Sequence, residues 1–442
     1  MCTAIRFNSR RGETMTTGNI GPDEAIGPGK WRVLWAAFMS YCMDAMDFML
    51  LAVALPTMIR ELHLSMTEAG LLGTAGLLGV GFSAWLLGWC SDNYGRKNAM
   101  IVSVLVFGIM TAAISVARDW TDMMVLRFIA GLGLGGLWGV AAAYINETWP
   151  RAQRGRAAAF VLSSWPIGFG IAAMLAAAVI PVHGWRVLFL FGFAAIPLAF
   201  FIWRYVPESE VWLAGKHAAD QTNERVRLRE IFAPHLLRQT VVGTVSASCA
   251  LVAYWGVNTW LPSFLTRERG LSPQEMAHYV VMLNVGMFIG YQLFGYLADR
   301  IGRKLSLILC FLGGAITLPL YVQCEDRVLL FWAGPVIALF FSYAGVFGSL
   351  FAELYPPRIK SLGAGFCFNV GRGISAFAPF LLGSIATHYS LGTGIALCGI
   401  SFATAGVAVW LLPASGMSDS GSTTRRGYSG APDASSYLRT SK

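Results

Sequence analysis

The sequence predicts an all-α membrane protein in which twelve transmembrane helices form two six-helix bundles related by pseudo-symmetry. Two observations carry this prediction. The 442-residue chain is 55% hydrophobic and only 13% charged, with a mean hydropathy of +0.57, a composition typical of chains that cross a bilayer repeatedly. Short motifs also recur about 207 residues apart, which indicates an internal duplication.

Twelve stretches are poor enough in charge to cross a bilayer, which requires about 20 apolar residues in a helix. We number them spans 1 to 12, and they cover residues 33–58, 67–90, 98–117, 121–146, 157–182, 187–205, 239–265, 276–297, 305–323, 328–352, 362–386 and 389–412.

Two halves and three connecting regions follow from this division. The halves are residues 31–205 and 239–412, joined by a cytoplasmic linker at 206–238. Residues 1–30 lack the apolar core of a secretory signal, and residues 413–442 are rich in Ser, Gly and Thr, so we expect both to be disordered tails. Within the linker, "RVRLRE" (225–230) is either a short amphipathic helix or a solvated connection.

The basic residues are distributed unevenly between the two sides of the predicted bundle. Of 33 Lys and Arg residues, 25 fall on the side of both termini, six on the opposite side and two inside spans. By the positive-inside rule this places both termini in the cytoplasm. The expected location is the plasma membrane, which is the inner membrane in a bacterium. The net charge of +9 is therefore interpreted as a topology signal and not as a nucleic-acid binding patch.

The sequence does not favour an enzyme. The eight cysteines are scattered without C-x-x-C spacing, which fits neither a disulfide framework nor a metal site. We find no nucleophile-base pair and no cofactor loop, so no cofactor is expected. The expected partners are lipid, protons and a small molecule, and the expected state is a monomer.

Three motif pairs support the duplication. "GWCSDNYGRK" (88–97) returns as "GYLADRIGRK" (295–304), and "ETWPRAQR" (147–154) returns as "ELYPPRIK" (353–360). "LSMTE" and "LSPQE" each predict a capping box, Ser65 with Glu68 and Ser272 with Glu275, which would fix where spans 2 and 8 begin.

These motifs resemble those of the major facilitator superfamily. G-x-x-x-D-x-x-G-R-K between spans 2 and 3, repeated between spans 8 and 9, is similar to the signature loop of that family, and "RFIAGLGLGG" (127–136) is similar to its fourth-helix motif. The resemblance covers roughly residues 31–412. It implies the major facilitator fold and transport by alternating access.

The resemblance also implies a gate formed by the two motif loops. A carboxylate would face a helix N-terminus, and each arginine would pair with acid across the bundle only while the cytoplasmic side is closed. Asn93 stands where a basic residue is frequent, so we expect the first latch to be weaker than the second. The alternative interpretation is that the motif loops have no switching role and are simply turns whose positive charges keep them on the cytoplasmic side. The predicted gating residues are Asp92, Gly95, Arg96, Asp299, Arg303 and the acidic partners Glu147 and Glu353.

Two carboxylates lie in the middle of span 1, in "CMDAMDFMLLAVALP" (42–56). A charge at the bilayer centre costs roughly 2.5 to 3.5 kcal/mol on insertion scales, so such groups face the interior and usually carry function. Asp44 and Asp47 are one turn apart, and in a shared cavity they would disfavour simultaneous ionisation, which suits proton coupling. The alternative is a static ion pair with Arg127 in span 4.

Arg372 and Asn369 in span 11 are the predicted anion site, because guanidinium binds carboxylate through two parallel hydrogen bonds. Arg127 is the rival anion site. In span 7, Tyr254, Trp255 and Asn258 are candidates for holding a ring or a polyol. Their alternative role is in an aromatic belt at the membrane interface.

Within the superfamily, the D-x-x-D pair together with "ETWP", "GWRVLFLFG" (184–192) and "VPESEVW" (206–212) most resembles the sialate:proton and aromatic-acid:proton symporters. This resemblance implies uptake of small organic anions driven by the proton gradient. The alternatives are a facilitator or antiporter for sugars or other metabolites, and a membrane sensor that transports nothing.

Overall fold

The computed structural model describes residues 29–150, 153–213, 228–356 and 359–413, and every regular element in these ranges is helical. Apart from residues 29, 30 and 413, the predicted tails lie outside the described residues, as does linker segment 214–227. The motif at 225–230 is described only from Leu228, where a 3₁₀ turn runs over Leu228–Phe232.

Sixteen α-helices lie in the described parts of the two halves. In the first half they are Lys30–Glu61, Met66–Tyr94, Arg96–Ala113, Trp120–Leu134, Leu137–Thr148, Arg154–Leu162, Ser164–Phe189 and Ala195–Tyr205. In the second half they are Pro234–Arg267, Pro273–Ile301, Arg303–Gln323, Arg327–Leu339, Tyr343–Leu354, Lys360–Ser375, Ala378–His388 and Leu391–Leu411.

Eleven helical runs in the described chain are long and apolar enough to cross a membrane. One of them, Arg156–Tyr205, is 50 residues long, or about 75 Å at helical rise, more than twice the ~30 Å of a hydrocarbon core. It is broken at Gly184, where φ is 77°, a conformation that glycine adopts without steric penalty. This run therefore contains spans 5 and 6, which confirms the predicted total of twelve.

The predicted capping boxes are both present and begin equivalent helices of the two halves. The Ser65 hydroxyl accepts from the Glu68 amide at 3.1 Å, while the Glu68 carboxylate accepts from the Ser65 amide at 2.8 Å. Ser272 and Glu275 form the same reciprocal pair at 3.2 and 2.8 Å. Spans 2 and 8 thus start at matched positions because matched residues satisfy their first amides.

Four spans are interrupted, and they form two equivalent pairs in the two halves. Span 4 breaks at 135–136 and span 10 at 340–342, while span 5 breaks at Ser163 and span 11 at 376–377. Each break interrupts the regular pattern of backbone hydrogen bonds inside the bundle. As shown below, the carbonyl at one of these breaks accepts a hydrogen bond from the other half.

Both ends of the described chain lie at one end of the bundle, which we call the terminal end. There Arg32 donates to the Tyr205 carbonyl at the end of span 6, at 3.5 Å. Arg238 likewise donates to the Leu411 carbonyl at the end of span 12, at 3.0 Å. We call the opposite end, where spans 2 and 8 begin, the far end.

At the far end the two halves touch directly through spans 2 and 11. The Thr67 and Thr387 hydroxyls lie 3.4 Å apart. A Cβ added at Gly70 would lie 2.5 Å from the Pro379 carbonyl oxygen, and Trp260 Nε1 donates to that same oxygen at 2.9 Å. The far end is therefore closed by contacts between backbones, and spans 5 and 8 form the pseudo-symmetric contact between the halves.

Between the halves on the terminal side lies a cavity of about 560 Å³, which we call the vestibule. Spans 1, 2, 4, 5, 8, 10 and 11 contribute to its wall. A Cβ added at any of five wall glycines would meet no other heavy atom within 4 Å; these are Gly88, Gly139, Gly295, Gly348 and Gly365. The halves thus separate toward the terminal end while remaining in contact at the far end.

Candidate functional site: a cavity between the two halves

A second, smaller cavity of about 70 Å³ lies beside the vestibule, and we call it the inner cavity. Six residues line both spaces: Tyr41, Trp138, Tyr291, Ala344, Phe368 and Arg372. The other lining residues are Asp44, Phe48, Val80, Leu134, Trp165, Leu251, Tyr254, Trp255, Phe341 and Tyr343. Ten of the sixteen are aromatic, so the cavity offers mainly ring surfaces around a few polar groups.

Helical spacing explains which side chains meet there. On span 1, Tyr41, Asp44 and Phe48 follow one another at intervals of three and four residues and so share a helix face. On span 11, Phe368 and Arg372 are four residues apart. Spans 1 and 11 therefore each place one charged group, with a neighbouring aromatic ring, in the cavity wall.

Arg372 reaches from the second half to the first. Its Nη1 donates to the Gly135 carbonyl at 3.3 Å, at the break in span 4. Its guanidinium lies 5.2 Å from the Phe368 ring centroid, while its Nε has no hydrogen-bond partner in the described chain. No described carboxylate comes within 4.0 Å of it. The guanidinium therefore retains hydrogen-bonding capacity beside the cavity, as an anion site requires.

Asp44 is the acidic member of the inner cavity. Its side chain is buried, with 6% exposure, and it lines the cavity. Within the described ranges it has neither a hydrogen bond nor an ion pair. A buried carboxyl group without a protein partner is costly, so this group is available to a ligand, water or a proton.

Asp47 has a different environment, contrary to the prediction that both aspartates share one cavity. It is 1% exposed and lines neither the inner cavity nor the vestibule. Thr111 of span 3 donates to its Oδ2 at 2.8 Å, while Oδ1 has no partner in the described residues. Residues three apart on a helix differ in direction by about 60°, which is enough to turn Asp47 toward the interior of the first half.

Arg127, the predicted rival anion site, also lies outside both cavities and is 1% exposed. Its Nη2 donates to the Phe48 carbonyl at 3.4 Å and its guanidinium lies 5.2 Å from the Phe48 ring centroid. Nε and Nη1 have no described hydrogen-bond partner. No described carboxylate lies within 4.0 Å, so the static ion pair with an aspartate, which was the alternative to proton coupling, is not formed. A substrate in these cavities would not touch Arg127.

The span 7 candidates divide in the same way. Tyr254 and Trp255 line the inner cavity, as predicted for binding residues, and do not belong to an aromatic belt at the membrane interface. Trp165 Nε1 donates to the Tyr254 hydroxyl at 2.5 Å across the two halves. Asn258, by contrast, is fully buried, lines neither cavity and donates to the Tyr254 carbonyl at 2.9 Å. Its predicted binding role is therefore not supported, whereas Asn369 is exposed in the vestibule wall.

At the terminal end, the first motif loop turns at Gly95, where φ is 103°, in the region that favours glycine. Arg96 binds Glu147 through Nη2 and Oε1 at 3.0 Å and also forms an ion pair with Asp92. The loop is thereby fixed to the end of span 4.

The second motif loop repeats this arrangement with fewer partners. It turns at Gly302, where φ is 87°, and Arg303 forms an ion pair with Glu353. Asp299 has no hydrogen bond or ion pair within the part of the chain that the structure describes. In this conformation the first loop is therefore held by more ion pairs than the second, and the weaker first latch stays a prediction.

These loop contacts also correct the predicted timing of the gate. Both arginine-glutamate pairs join residues of one half, and both are formed while the halves are apart at the terminal end. They brace each half internally and do not themselves span the opening. A gating role for these residues has to act through the shape of each half.

The carboxylate at the start of span 3 is Glu208 from the linker, and not Asp92 as expected. Its Oε1 accepts from the amides of Arg96 at 3.0 Å and Lys97 at 3.2 Å, and from its own neighbour Ser209 at 3.0 Å. Carboxylates are favoured at helix N-termini, where free amides and the positive end of the helix dipole meet them. The linker is thus attached to the first motif loop.

Replacing Glu208 with alanine is expected to destabilise the first half, because three backbone amides lose a charged acceptor, a loss of about 2 kcal/mol. The melting temperature of the detergent-solubilised protein should fall by several degrees. Glu210, an exposed linker residue two positions on, is the matched control, and Glu210→Ala should leave the melting temperature nearly unchanged. Equal shifts in the two variants would contradict this role for Glu208.

Two six-helix halves that touch at one end and enclose charged groups at mid-depth have the architecture of a membrane carrier. The comparisons with known proteins agree. The family model described as Major Facilitator Superfamily matches residues 37–292 and 243–441, and the chain belongs to this superfamily. It is therefore a membrane transporter and not an enzyme, as the sequence predicted.

Curated relatives and solved structures match almost end to end. The chain is 32% identical to the cis,cis-muconate transport protein of Acinetobacter baylyi over 392 residues, covering 86% of this chain and 94% of the relative. It is 27% identical to the sialic acid transporter NanX of Escherichia coli, covering 85% and 92%. Among solved structures, a D-xylose-proton symporter superposes with a TM-score of 0.73 at 18% identity, covering 88% and 99%, which supports the fold.

Sequence reasoning missed several wall residues as well as Glu208. Tyr41, Phe48 and Phe368 lie three or four residues from the charged groups that were singled out, so helical spacing could have identified them. Trp138, Trp165 and Tyr343 come from other spans, and nothing in their local sequence indicates that they meet at one place.

Proposed function

We propose that the protein is a secondary active transporter that takes up small organic carboxylates together with protons by alternating access. The observation that carries this proposal is the position of Arg372 and Asp44. They lie on opposite halves and line the same inner cavity. A fixed cation and an acid at the meeting point of the halves allow the substrate and the proton state to influence the same conformational change.

The substrate side of the proposal rests on Arg372. A carboxylate can accept two parallel hydrogen bonds from a guanidinium, and this guanidinium has an unused Nε. The names of two relatives, a cis,cis-muconate transport protein and a sialic acid transporter, support a carboxylate as the substrate class.

The proton side rests on the two aspartates of span 1. Each is buried at mid-depth without a described ion pair, so protonation would relieve the cost of a buried charge. Binding of both a proton and a carboxylate would keep the cavity as neutral as it is when empty, whereas either one alone would add a net charge. The loaded carrier would then change conformation more readily than a partly loaded one.

The direction of transport depends on orientation. The positive-inside rule favours a cytoplasmic position for the terminal end, where the basic loops lie. In that orientation the present conformation is open toward the cytoplasm, and its closed far end faces outward. The proposed location is the plasma membrane, with both termini inside.

Uptake into proteoliposomes tests the proposal. With an imposed gradient, acidic outside, labelled benzoate, cis,cis-muconate and sialic acid are offered in turn. We expect at least one to accumulate above its external concentration, and a proton ionophore to abolish that accumulation. Equilibration without accumulation would indicate an uncoupled facilitator, and no uptake of any carboxylate would contradict the substrate class.

A further inference from the structure

Each half places an arginine at the far end through a repeated motif. "RELHLS" (60–65) returns as "RERGLS" (267–272), 207 residues later. The first arginine of each motif, Arg60 or Arg267, lies in the last turn of span 1 or span 7. The last residue of each motif is the serine that caps the following span. The motif therefore fixes one arginine at an equivalent place in each half.

The residues that follow Arg267 are attached to other helices of the second half. Glu268 accepts hydrogen bonds from two backbone amides at the start of span 12, at 2.5 and 3.0 Å. Arg269 donates to the Val322 carbonyl at the end of span 9. Because both neighbours are held in this way, the backbone at Arg267 has firm support, as a binding residue requires.

The Arg267 side chain is exposed and reaches across to the first half. Its Nη1 lies 3.4 Å from the Sδ atom of Met66, at the start of span 2. A thioether sulfur is only a weak acceptor, and no described carboxylate lies within 4.0 Å of this guanidinium. A cation with unused donors therefore lies at the contact between the halves.

The negative charges of the far end are largely engaged elsewhere. Six carboxylates there already accept from backbone amides: Glu68, Asp119, Asp122, Glu268, Glu275 and Asp326. In the first half, Glu61 follows Arg60 and forms no described ion pair, so it leaves a negative charge beside that arginine. The equivalent carboxylate beside Arg267 is bound to span 12, which leaves Arg267 as the stronger attractor of anions.

Hydroxyl groups lie next to this cation at the contact between spans 2 and 11. Thr67 directly follows Met66, and its hydroxyl is 3.4 Å from that of Thr387. A Cβ added at Gly383 would lie 2.4 Å from the Met66 carbonyl oxygen, so span 11 packs against the residue that Arg267 touches. A guanidinium and neighbouring hydroxyls are groups that bind a carboxylate.

We infer that Arg267, with the adjacent Thr67 hydroxyl, forms a first binding site for the substrate carboxylate at the far end, separate from Arg372. The anion docks there before the halves part and the inner cavity opens toward it. This inference rests on the proposed function, which supplies the anionic substrate and the outward position of the far end. An exposed charge at an entrance raises the local concentration of anions and their rate of entry.

Uptake into right-side-out membrane vesicles tests this site, because added substrate then meets only the far end. The probes are labelled benzoate, with one carboxylate, and cis,cis-muconate, with two, in 0.1 M salt with the outside acidified. Arg267→Ala should raise the concentration for half-maximal uptake about fivefold, the value of an exposed ion pair, and leave the maximal rate unchanged. In 1 M salt, where charges are screened within about 3 Å, the difference should fall below about twofold.

Four further variants separate charge from structure. Arg267→Gln should match Arg267→Ala, and it decides the case if the alanine variant is poorly produced. Arg267→Lys keeps the charge and should stay within about twofold of wild type. Met66→Leu removes the sulfur contact but not the cation, and should transport like wild type. Arg327→Ala removes another exposed far-end arginine, one already paired with Glu275 at 3.0 Å, and should also leave half-maximal uptake unchanged.

Three results would overturn the site. One is an unchanged half-maximal concentration in Arg267→Ala and Arg267→Gln. Another is an effect of the same size in 1 M salt. The third is a Met66→Leu variant that reproduces the effect, since Arg267 would then act by holding the halves together.

Failure of the proposed function would give a different pattern. If wild type transports neither probe, both the carboxylate proposal and this site are wrong. If wild type equilibrates a probe without accumulating it, the symport proposal is wrong, and the half-maximal concentration measured by counterflow exchange still decides the role of Arg267.

Discussion

Arg372→Ala is expected to reduce carboxylate uptake at least about a hundredfold. Among the described residues, the guanidinium is the only cation that lines the inner cavity, and losing a two-pronged charged contact costs roughly 3 kcal/mol. Initial rates of labelled substrate uptake, corrected for the amount of reconstituted protein, measure the effect.

Two further variants separate charge from geometry. Arg372→Lys keeps the positive charge but not the planar fork, and should recover only part of the lost rate. Arg204→Ala removes an exposed arginine near the end of span 6 and should transport at nearly the wild-type rate. If Arg372→Ala retained half of the wild-type rate, the anion site would have to lie elsewhere.

Gly70→Ala is expected to lower transport to less than about a tenth of wild type by preventing closure of the far end. The added methyl carbon would lie 2.5 Å from the Pro379 carbonyl oxygen and 3.0 Å from the Phe380 Cα. Backbone atoms cannot move aside as a flexible side chain can, so the halves would have to separate there.

The accessibility of the far end reports that separation directly. A cysteine introduced at Thr387, which lies 3.4 Å from Thr67 across the contact, should react faster with a membrane-impermeant maleimide in the Gly70→Ala background. Gly81→Ala is the matched control on the same helix, because its added carbon would lie 3.6 Å from the nearest atom, an ordinary contact. Equal labelling and equal transport in both variants would contradict the closure argument.

The fold could be predicted because its determinants are local or repeated. The length of each apolar run fixes a span, and the residues that cap spans 2 and 8, such as Ser65 and Glu68, act within one helical turn. The division of the run over spans 5 and 6 also agrees with the sequence, because the two predicted spans, 157–182 and 187–205, lie on either side of Gly184.

The site could be predicted only in part, because direction around a helix is not visible in one sequence. In the sequence, Asp44 and Asp47 are both carboxylates in the middle of an apolar span, yet only Asp44 lines the inner cavity. Glu208 lies 112 positions from Arg96, and the sequence contains no local sign that the two meet. Such contacts depend on how the spans pack, which the apolar pattern leaves open.

The role of the glycines in the vestibule wall can be inferred from the packing of glycines at the far end. There, a position without a side chain lets span 2 rest against the backbone of span 11. The vestibule holds the same kind of bare position on several spans, such as Gly88 and Gly365, each now facing empty space. The chain thus has small residues at the contact between the halves at both ends, packed closely at the far end and separated at the terminal end. Closing the terminal end would bury surface there while the far end exposes its own.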